Sequence, residues 1–397
     1  MNNKVVFAAA GNGKTYSICK QAKDIVENQN GCVLLISYTN EGIRSLEQEY
    51  RKQNDGILHE KVIIKSWYSF VLSEFIKPYQ CLLNLKEKVY KKERDFEVPE
   101  NYVSSIAFYS DDPPRWFGQR HIQYYINSAG DVYPDRTSEL ACLCNLHSKG
   151  KAISRIENIY TSIFIDELQD YAGWDLELIK LLFESKVSIT CVGDYKQATY
   201  RTNNSLKYKA YRDEKIRNFF HSLEQQGDCT VTYDNTTRRF NQEICNYINT
   251  IYNDVESAVE ENAERDSDDE TENIGVYIID SKNLIEYCNY YNPIILRYNK
   301  TSNIEFKHDC ALLNYGAAKG ATYDRTVIIP VKTVLPFITK QAPITSNQTR
   351  SKFYVACTRA KRGMVFVVDG FEGASHFKST RMKFGKFEID AFKYCGE

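Results

Sequence analysis

No apolar run in this chain is long enough to cross a bilayer, and no secretory segment opens it. The expectation is a cytoplasmic protein with no membrane partner. An excess of either charge is also missing: 51 basic side chains face 52 acidic ones. Net charge therefore gives no argument for nucleic acid, and any such partner would need a local basic groove. No Cys or His arrangement suggests a nucleophilic or metal protease. Cys142, Cys144 and His147 form the only close cluster, and it lacks a fourth ligand and the usual two-residue gap between thiolates. Several of the other cysteines, such as Cys32 and Cys191, lie in apolar runs as small buried hydrophobes do in a reducing compartment. No acidic cluster reads as a nuclease site either. The acidic run at 256–273 is too uniform for two-metal ligands and reads as a solvated, mobile loop.

What the chain does have is aromatic: 29 Tyr and 20 Phe among 397 residues. Such side chains fill cores and also stack bases, and composition leaves both readings open. Short apolar runs alternate with amphipathic stretches in the first third. Strands are expected at 4–8, 32–37 and 62–64, with helices over 14–28 and 40–52. This rhythm implies a parallel sheet wrapped by helices. It breaks over residues 77–157, where prolines and mixed polarity suggest an inserted subdomain. It returns with a strand at 162–165, a helix near 174–185 and a strand at 187–192. A second α/β region is expected from residue 205, with strands at 229–233, 274–279, 293–296, 326–329 and 364–368. The fold class is therefore α/β, with a first domain over 1–204 and a second over 205–397.

The run Ala8-Ala9-Ala10-Gly11-Asn12-Gly13-Lys14-Thr15 sits between a strand and a helix, the context of a phosphate-binding loop. Glycines let the backbone approach phosphate, and the amides of Ala10 to Thr15 point donors at the anion. Lys14 would meet the β- and γ-phosphates of ATP, and Thr15 would give its hydroxyl to Mg2+. Asp166, at the end of the strand 162–165, would complete the Mg2+ shell. Glu167 beside it would polarise the attacking water. Gln197, after another buried strand, would sense the γ-phosphate.

The order of these segments resembles UvrD/Rep-type superfamily 1 helicases. Ser37-Tyr38-Thr39-Asn40 looks like motif Ia, and Lys65-Ser66-Trp67-Tyr68-Ser69-Phe70 like the Thr-Phe-His-x-Phe segment. Asp166-Glu167-Leu168-Gln169-Asp170 and the run from Val192 to Arg201 resemble motifs II and III. Thr237-Arg238-Arg239-Phe240, Ala318-Lys319-Gly320 and the run from Tyr354 to Lys361 resemble the later motifs. The resemblance implies two RecA-like domains with ATP between them. Arg239 and Arg359 of the second would reach the γ-phosphate. Gly320 and an adenine-stacking Arg238 would bind nucleotide. Single-stranded DNA, or DNA with single-stranded ends, would run past Thr39, Trp67, Tyr68, Tyr200 and Arg201. Trp67 and Tyr68 are equally well read as packing residues.

Several positions depart from the family pattern. Seven residues precede the loop, so the upstream glutamine segment that reads adenine is missing. Thr202 and Asn203 replace the Trp expected after Tyr200-Arg201, Thr322 replaces a Glu, and Gly316 a His. The span 300–314 is too short for the 2B insertion, which implies a compact motor. The leading expectation is an ATP-dependent single-strand DNA translocase or helicase moving 3′ to 5′. The alternative is an ATP- and DNA-sensing regulatory subunit that switches a partner nuclease or effector, as in phage-defence or mobile-element systems. A P-loop kinase lacks any acceptor-binding signature.

Overall fold

The computed structural model describes residues 3–108, 114, 116–252, 254–260, 272–302 and 309–396. Most of the acidic run and part of the 300–314 span lie outside the described residues. Two compact units result. The first holds residues 1–7, 14–195 and 200–232, and the second holds 8–13, 196–199 and 233–397. Each is a largely parallel sheet flanked by helices.

The strands of the first sheet are β1 (Lys4–Ala8), β2 (Val33–Ser37), β3 (Val62–Ser66), β6 (Ser162–Ile165), β7 (Ser188–Gly193) and β8 (Thr230–Asp234). Between β3 and β6 a separate hairpin forms from β4 (Asn84–Val89) and β5 (Lys92–Glu97). The sheet order is β3-β2-β6-β7-β1-β8. The β2, β3, β6, β7 and β1 pairings are parallel. Every residue of β2 and β6 is buried, which is why these strands read as unbroken apolar runs. The helix α1 (Lys14–Gln29) buries Ile18, Cys19, Ala22 and Val26 at helical spacing, and α2 (Asn40–Gln53) buries Leu46 and Tyr50. These side chains pack with Val33, Leu35 and Phe164 in one core.

One expectation needs correction. The strand near 229–233 does not open the second region. As β8 it takes the edge of the first sheet beside β1, where the Thr230 amide donates to the Asn3 carbonyl at 3.0 Å. Its burial alternates as an edge strand's does, so its local pattern carries no mark of which sheet it joins.

Among its described residues, the segment between β3 and β6 adds no strand to the main sheet. It holds the β4–β5 hairpin, a short helix Ile122–Tyr125, and the helices Thr137–His147 and Lys151–Ile159.

In the second unit, β9 (Thr236–Thr237) and β10 (Ala258–Val259) pair apart from the main sheet. The sheet itself contains β11 (Gly275–Ile279), β12 (Ile294–Arg297), β13 (Leu312–Asn314), β14 (Tyr323–Ile328), β15 (Ala360–Val367), β16 (Phe377–Phe384) and β17 (Phe387–Tyr394), in the order β13-β12-β14-β15-β11-β17-β16. The first five are parallel, and β17 and β16 extend the sheet antiparallel. Apolar side chains fill both faces: Tyr247, Phe353 and Phe366 on one, Tyr287, Val327 and Met382 on the other. Among the described residues, no helix is long and apolar enough to cross a membrane.

Candidate nucleotide and nucleic-acid sites

In a parallel sheet the loops at the C-terminal strand ends form one rim, and ligands bind there. In the first unit that rim carries Ser37 at the end of β2, Asp166 after β6 and Asp194 after β7. Thr15, one residue into α1, donates its hydroxyl to Asp166 Oδ2 at 3.2 Å. Asp166 is buried. Burial, then the neighbouring Glu167 charge, raises its carboxyl above the ordinary range, while Lys14 and the Thr15 hydroxyl pull it down. A hydroxyl and a carboxylate oxygen this close, next to a lysine, form the hard oxygen donor set that Mg2+ takes. Thr15 and Asp166 are the residues that would hold it.

Glu167 adopts a left-handed backbone, φ 56°. A non-glycine residue is strained there, and such strain gathers at functional sites. Its amide donates to Asp166 Oδ1 at 2.8 Å, fixing that carboxylate. Gln169 Nε2 donates to Glu167 Oε2 at 2.5 Å, while Gln169 Oε1 accepts from the Asp194 amide at 2.9 Å. Gln169 therefore bridges the loops after β6 and β7. Sequence reading quoted this residue only within its motif and assigned it no role.

In the second unit the loop 8–13 lies against the segment that carries Arg238 and Arg239. Gly11 and Gly13 both have positive φ, 77° and 90°. A Cβ on Gly11 would come within 2.4 Å of Arg239 Cβ, so backbone conformation and space both require glycine. The Arg238 amide donates to the Gly11 carbonyl at 3.0 Å, and Arg238 Nη1 to the Asn12 carbonyl at 2.9 Å. Asn12 Nδ2 donates to the Thr236 carbonyl at 3.1 Å, and Ala10 packs in the apolar core of this unit. Arg238 also pairs with Glu260. Its guanidinium holds the loop and meets a carboxylate.

Arg359 is 1% exposed, which is exceptional for a guanidinium. Its Nε donates to the Val355 carbonyl at 2.9 Å, and Nη1 to the Ala321 carbonyl at 3.1 Å. Nη2 donates to Thr358 Oγ1 at 2.8 Å and to Gln197 Oε1 at 3.2 Å. Arg239 Nη1 donates to the Thr358 carbonyl at 3.0 Å, so both arginines converge on Thr358. Gly320, φ 84°, turns the loop whose neighbouring carbonyls hold Arg359. Gly11, Gln197, Arg239 and Arg359 thus share one unit.

The five residues expected along single-stranded DNA sit in the first unit in different environments. Thr39 caps α2, its hydroxyl accepting from the Gly42 amide at 3.0 Å. Trp67 has no exposed surface. Its Nε1 donates to Asp175 Oδ1 at 3.0 Å and to Ser138 Oγ at 3.2 Å, so the ring is a packing element. Tyr68 shares a hydroxyl–hydroxyl bond with Tyr38, and burial raises both phenols above their ordinary range. The Tyr38 ring lies 5.2 Å from Tyr68 and 5.9 Å from Tyr200. Phe108 stands edge-on to Tyr68 at 5.2 Å. Tyr200 and Phe108 are exposed at 57% and 58%. Arg201 is engaged with Asp213 through two bonds of 2.8 and 2.7 Å.

Sequence reading left Tyr38 and Phe108 out of the site. Tyr38 stands inside the quoted motif beside Thr39, a signal that was there to use. Phe108 lies in the irregular insert and gives no local signal.

Thr202, noted as replacing an expected Trp, is buried in a hydrogen-bonded hub. Its Oγ1 accepts from the Ala172 amide at 3.1 Å and donates to Asp175.

Residues 119–207 match the family model described as the UvrD/REP helicase N-terminal domain. That stretch contains Asp166, Glu167, Gln197, Tyr200 and Arg201. Among solved structures the chain is similar to a helicase, nonstructural protein 10 of an arterivirus in complex with DNA. Identity is 13%, the TM-score is 0.43, and the match covers 94% of this chain and 61% of that one. The chain therefore spans less than two thirds of that helicase's length. No curated protein matches it.

Proposed function

We propose, from the premise that this chain belongs with the UvrD-like superfamily 1 helicases, that it is an ATP-driven translocase on single-stranded DNA. The observation that carries this reading is the Thr15–Asp166 oxygen pair, with Glu167 held rigidly beside it by Gln169. Amides of the Ala10–Thr15 loop and the Lys14 ammonium would bind the phosphates. Bound Mg2+ would neutralise charge on the phosphate oxygens. Glu167 accepts the proton of the attacking water. Arg239 and Arg359 stabilise the charge that develops on the transferring phosphoryl, and Gln197, bonded to Arg359, reports on it. The exposed Tyr200 and Phe108 rings, backed by Tyr38 and Tyr68, offer a stacking surface for bases. The two α/β units act as the two motor domains, and translocation runs 3′ to 5′.

The test is ATP turnover with and without single-stranded DNA. Wild type is expected to turn over faster with DNA. Glu167→Gln and Arg359→Ala are each expected to lower kcat by about a hundredfold or more, with ATP binding retained in Glu167→Gln. Wild-type turnover that no nucleic acid changes would overturn the translocase reading. Turnover that rises only with a partner protein would favour the regulatory-subunit reading instead.

A further inference from the structure

Lys196 and Gln197 follow β7, are buried, and group with the second unit. Lys196 is anchored through both its backbone and its side chain. Its carbonyl accepts from the Tyr252 hydroxyl at 3.1 Å, and its Nζ donates to the Val255 carbonyl at 2.6 Å. Gln197 is held from the other side. Its Oε1 accepts from Arg359 Nη2 at 3.2 Å, and its carbonyl accepts from the Thr199 amide at 2.8 Å. Gln197 and Arg359 already have roles in the proposed hydrolysis. Tyr252, which fixes the residue before Gln197, has none.

Tyr252 is itself held in place. Its ring is buried, stands edge-on to Tyr354 at 5.5 Å and lies 4.7 Å from the Arg350 guanidinium above it. A carbonyl only accepts, so the single phenol proton goes to Lys196. The Ser351 hydroxyl, 3.0 Å from the phenol oxygen, is then the donor to that oxygen. Tyr354 lies four residues from Arg350 and three from Ser351, so one face of the helix Asn347–Cys357 presents all of them to the ring. The same helix leads into Arg359, whose Nε folds back onto the Val355 carbonyl at 2.9 Å. One helix therefore carries both the seat of Tyr252 and the arginine that meets Gln197. Tyr247, buried in the same core, offers a contrast. Its hydroxyl has no hydrogen-bond partner among the described residues, so its ring alone accounts for it. Phenylalanine would fill the space of Tyr252 equally well, and what the hydroxyl adds is the bond to Lys196.

We propose that Tyr252 is a positioning residue for ATP hydrolysis. Its hydroxyl, oriented by Ser351, holds the Lys196 carbonyl and so sets the backbone from which the Gln197 side chain reaches Arg359. The Lys196 carbonyl shares a rigid plane with the Gln197 nitrogen and Cα, so fixing one orients the others. A glutamine side chain is costly to order, and a lone bond to Arg359 confines it only when its backbone is already fixed. Gln197 then meets the γ-phosphate preorganised. The inference rests on the proposed hydrolysis of ATP, and Tyr252 acts in it only through Gln197.

The experiment compares the full chain as wild type, Tyr252→Phe, Ser351→Ala, Gln197→Ala and Tyr252→Phe/Gln197→Ala. Steady-state ATP turnover gives kcat and KM, and hydrogen exchange follows the Thr199 amide. Tyr252→Phe keeps the ring and is expected to lower kcat about fivefold, the net worth of one hydrogen bond, with KM for ATP within about twofold of wild type. Ser351→Ala should lower kcat less, by about twofold. In the Gln197→Ala background the Tyr252→Phe change should have no further effect on kcat. The Thr199 amide should exchange about fivefold faster in Tyr252→Phe, a readout that needs no turnover. Losses from Tyr252→Phe and Gln197→Ala that multiply would overturn the proposal, because the two residues would then act independently. So would a Tyr252→Phe variant with lowered melting temperature but wild-type kcat, or with unchanged Thr199 exchange. Basal turnover that no single strand changes would instead overturn the translocase reading, while the cycle, measured without DNA, still decides the role of Tyr252.

Discussion

At the scale of single residues, glycines separate two costs that are usually mixed. Gly11 and Gly227 have similar positive φ, 77° and 83°. A Cβ on Gly227, the residue ending the helix Ile216–Gln226, meets nothing within 4 Å, whereas one on Gly11 collides with Arg239. Gly227→Ala is therefore expected to cost about 1 kcal/mol, from backbone strain alone. Gly11→Ala should cost more, because the segment with Arg238 and Arg239 must move away. It should also weaken ATP binding by about tenfold or more, since the same loop would cradle the phosphates. Thermal melts and nucleotide titrations of both variants check this. Equal losses of stability would show that the Arg239 approach does not hold the loop. Sequence alone pointed to Gly11 through the phosphate-loop pattern. It could not say that the second constraint on that position is Arg239, more than 200 positions away along the chain.

At the scale of elements, pattern reading succeeded where burial is uniform and faltered where it alternates. The buried strands β2 and β6 stand out as apolar runs, and α1 and α2 fall within a residue or so of their expected ranges. β13, a three-residue strand, was not anticipated, nor were β16 and β17. Their burial alternates, with Lys378, Arg381 and Lys383 facing water, so they resemble polar surface. β8 was found but placed in the wrong sheet, because edge strands carry no label of the neighbour they join.

Legibility was lowest for the polar hub that links four segments of the first unit. Asp175, on the helix Trp174–Phe183, accepts from Trp67, Ser138 and Thr202. Burial pushes its carboxyl up to about 6, against the lowering effect of those three donors. A raised carboxyl favours the protonated fold. Its contribution to stability is complete below about pH 4 and is lost as the pH rises through 6. The effect is on the order of 3 kcal/mol. Asp175→Asn cannot ionise, so its melting temperature should gain on wild type as the pH goes from about 4 to about 7. A difference between the two that stays constant over that range would refute the ionisation argument. A constant offset would then reflect only lost hydrogen bonds.

At the scale of the molecule, the two units are not consecutive stretches of chain. Residues 8–13, which start at the last residue of β1, and 196–199, which follow β7, group with the second unit. The second unit therefore cannot be cut out at residue 233 without losing partners. The fragment 233–397 would lose the Ala9 amide bond to the Asp234 carbonyl and the Arg238 amide bond to Gly11. It would also leave Arg359 without Gln197 and take Ala10 from the core. Net hydrogen bonds contribute about 1 kcal/mol each, and those to a charged group about 1.5–3 kcal/mol. The summed loss, on the order of 3–6 kcal/mol, is a large share of a domain's stability. The isolated fragment should accordingly melt at least about 10 °C below its transition in the full chain. Supplying residues 1–232 as a separate polypeptide should recover part of that loss in a concentration-dependent way. Calorimetry of the fragment, the mixture and the full chain distinguishes the outcomes. If the fragment melts at the full-chain temperature, the N-terminal loop is only a passenger on the second unit. Nucleotide arriving at the loop would then have no structural route to Arg239 and Arg359 through Gly11 and Gln197.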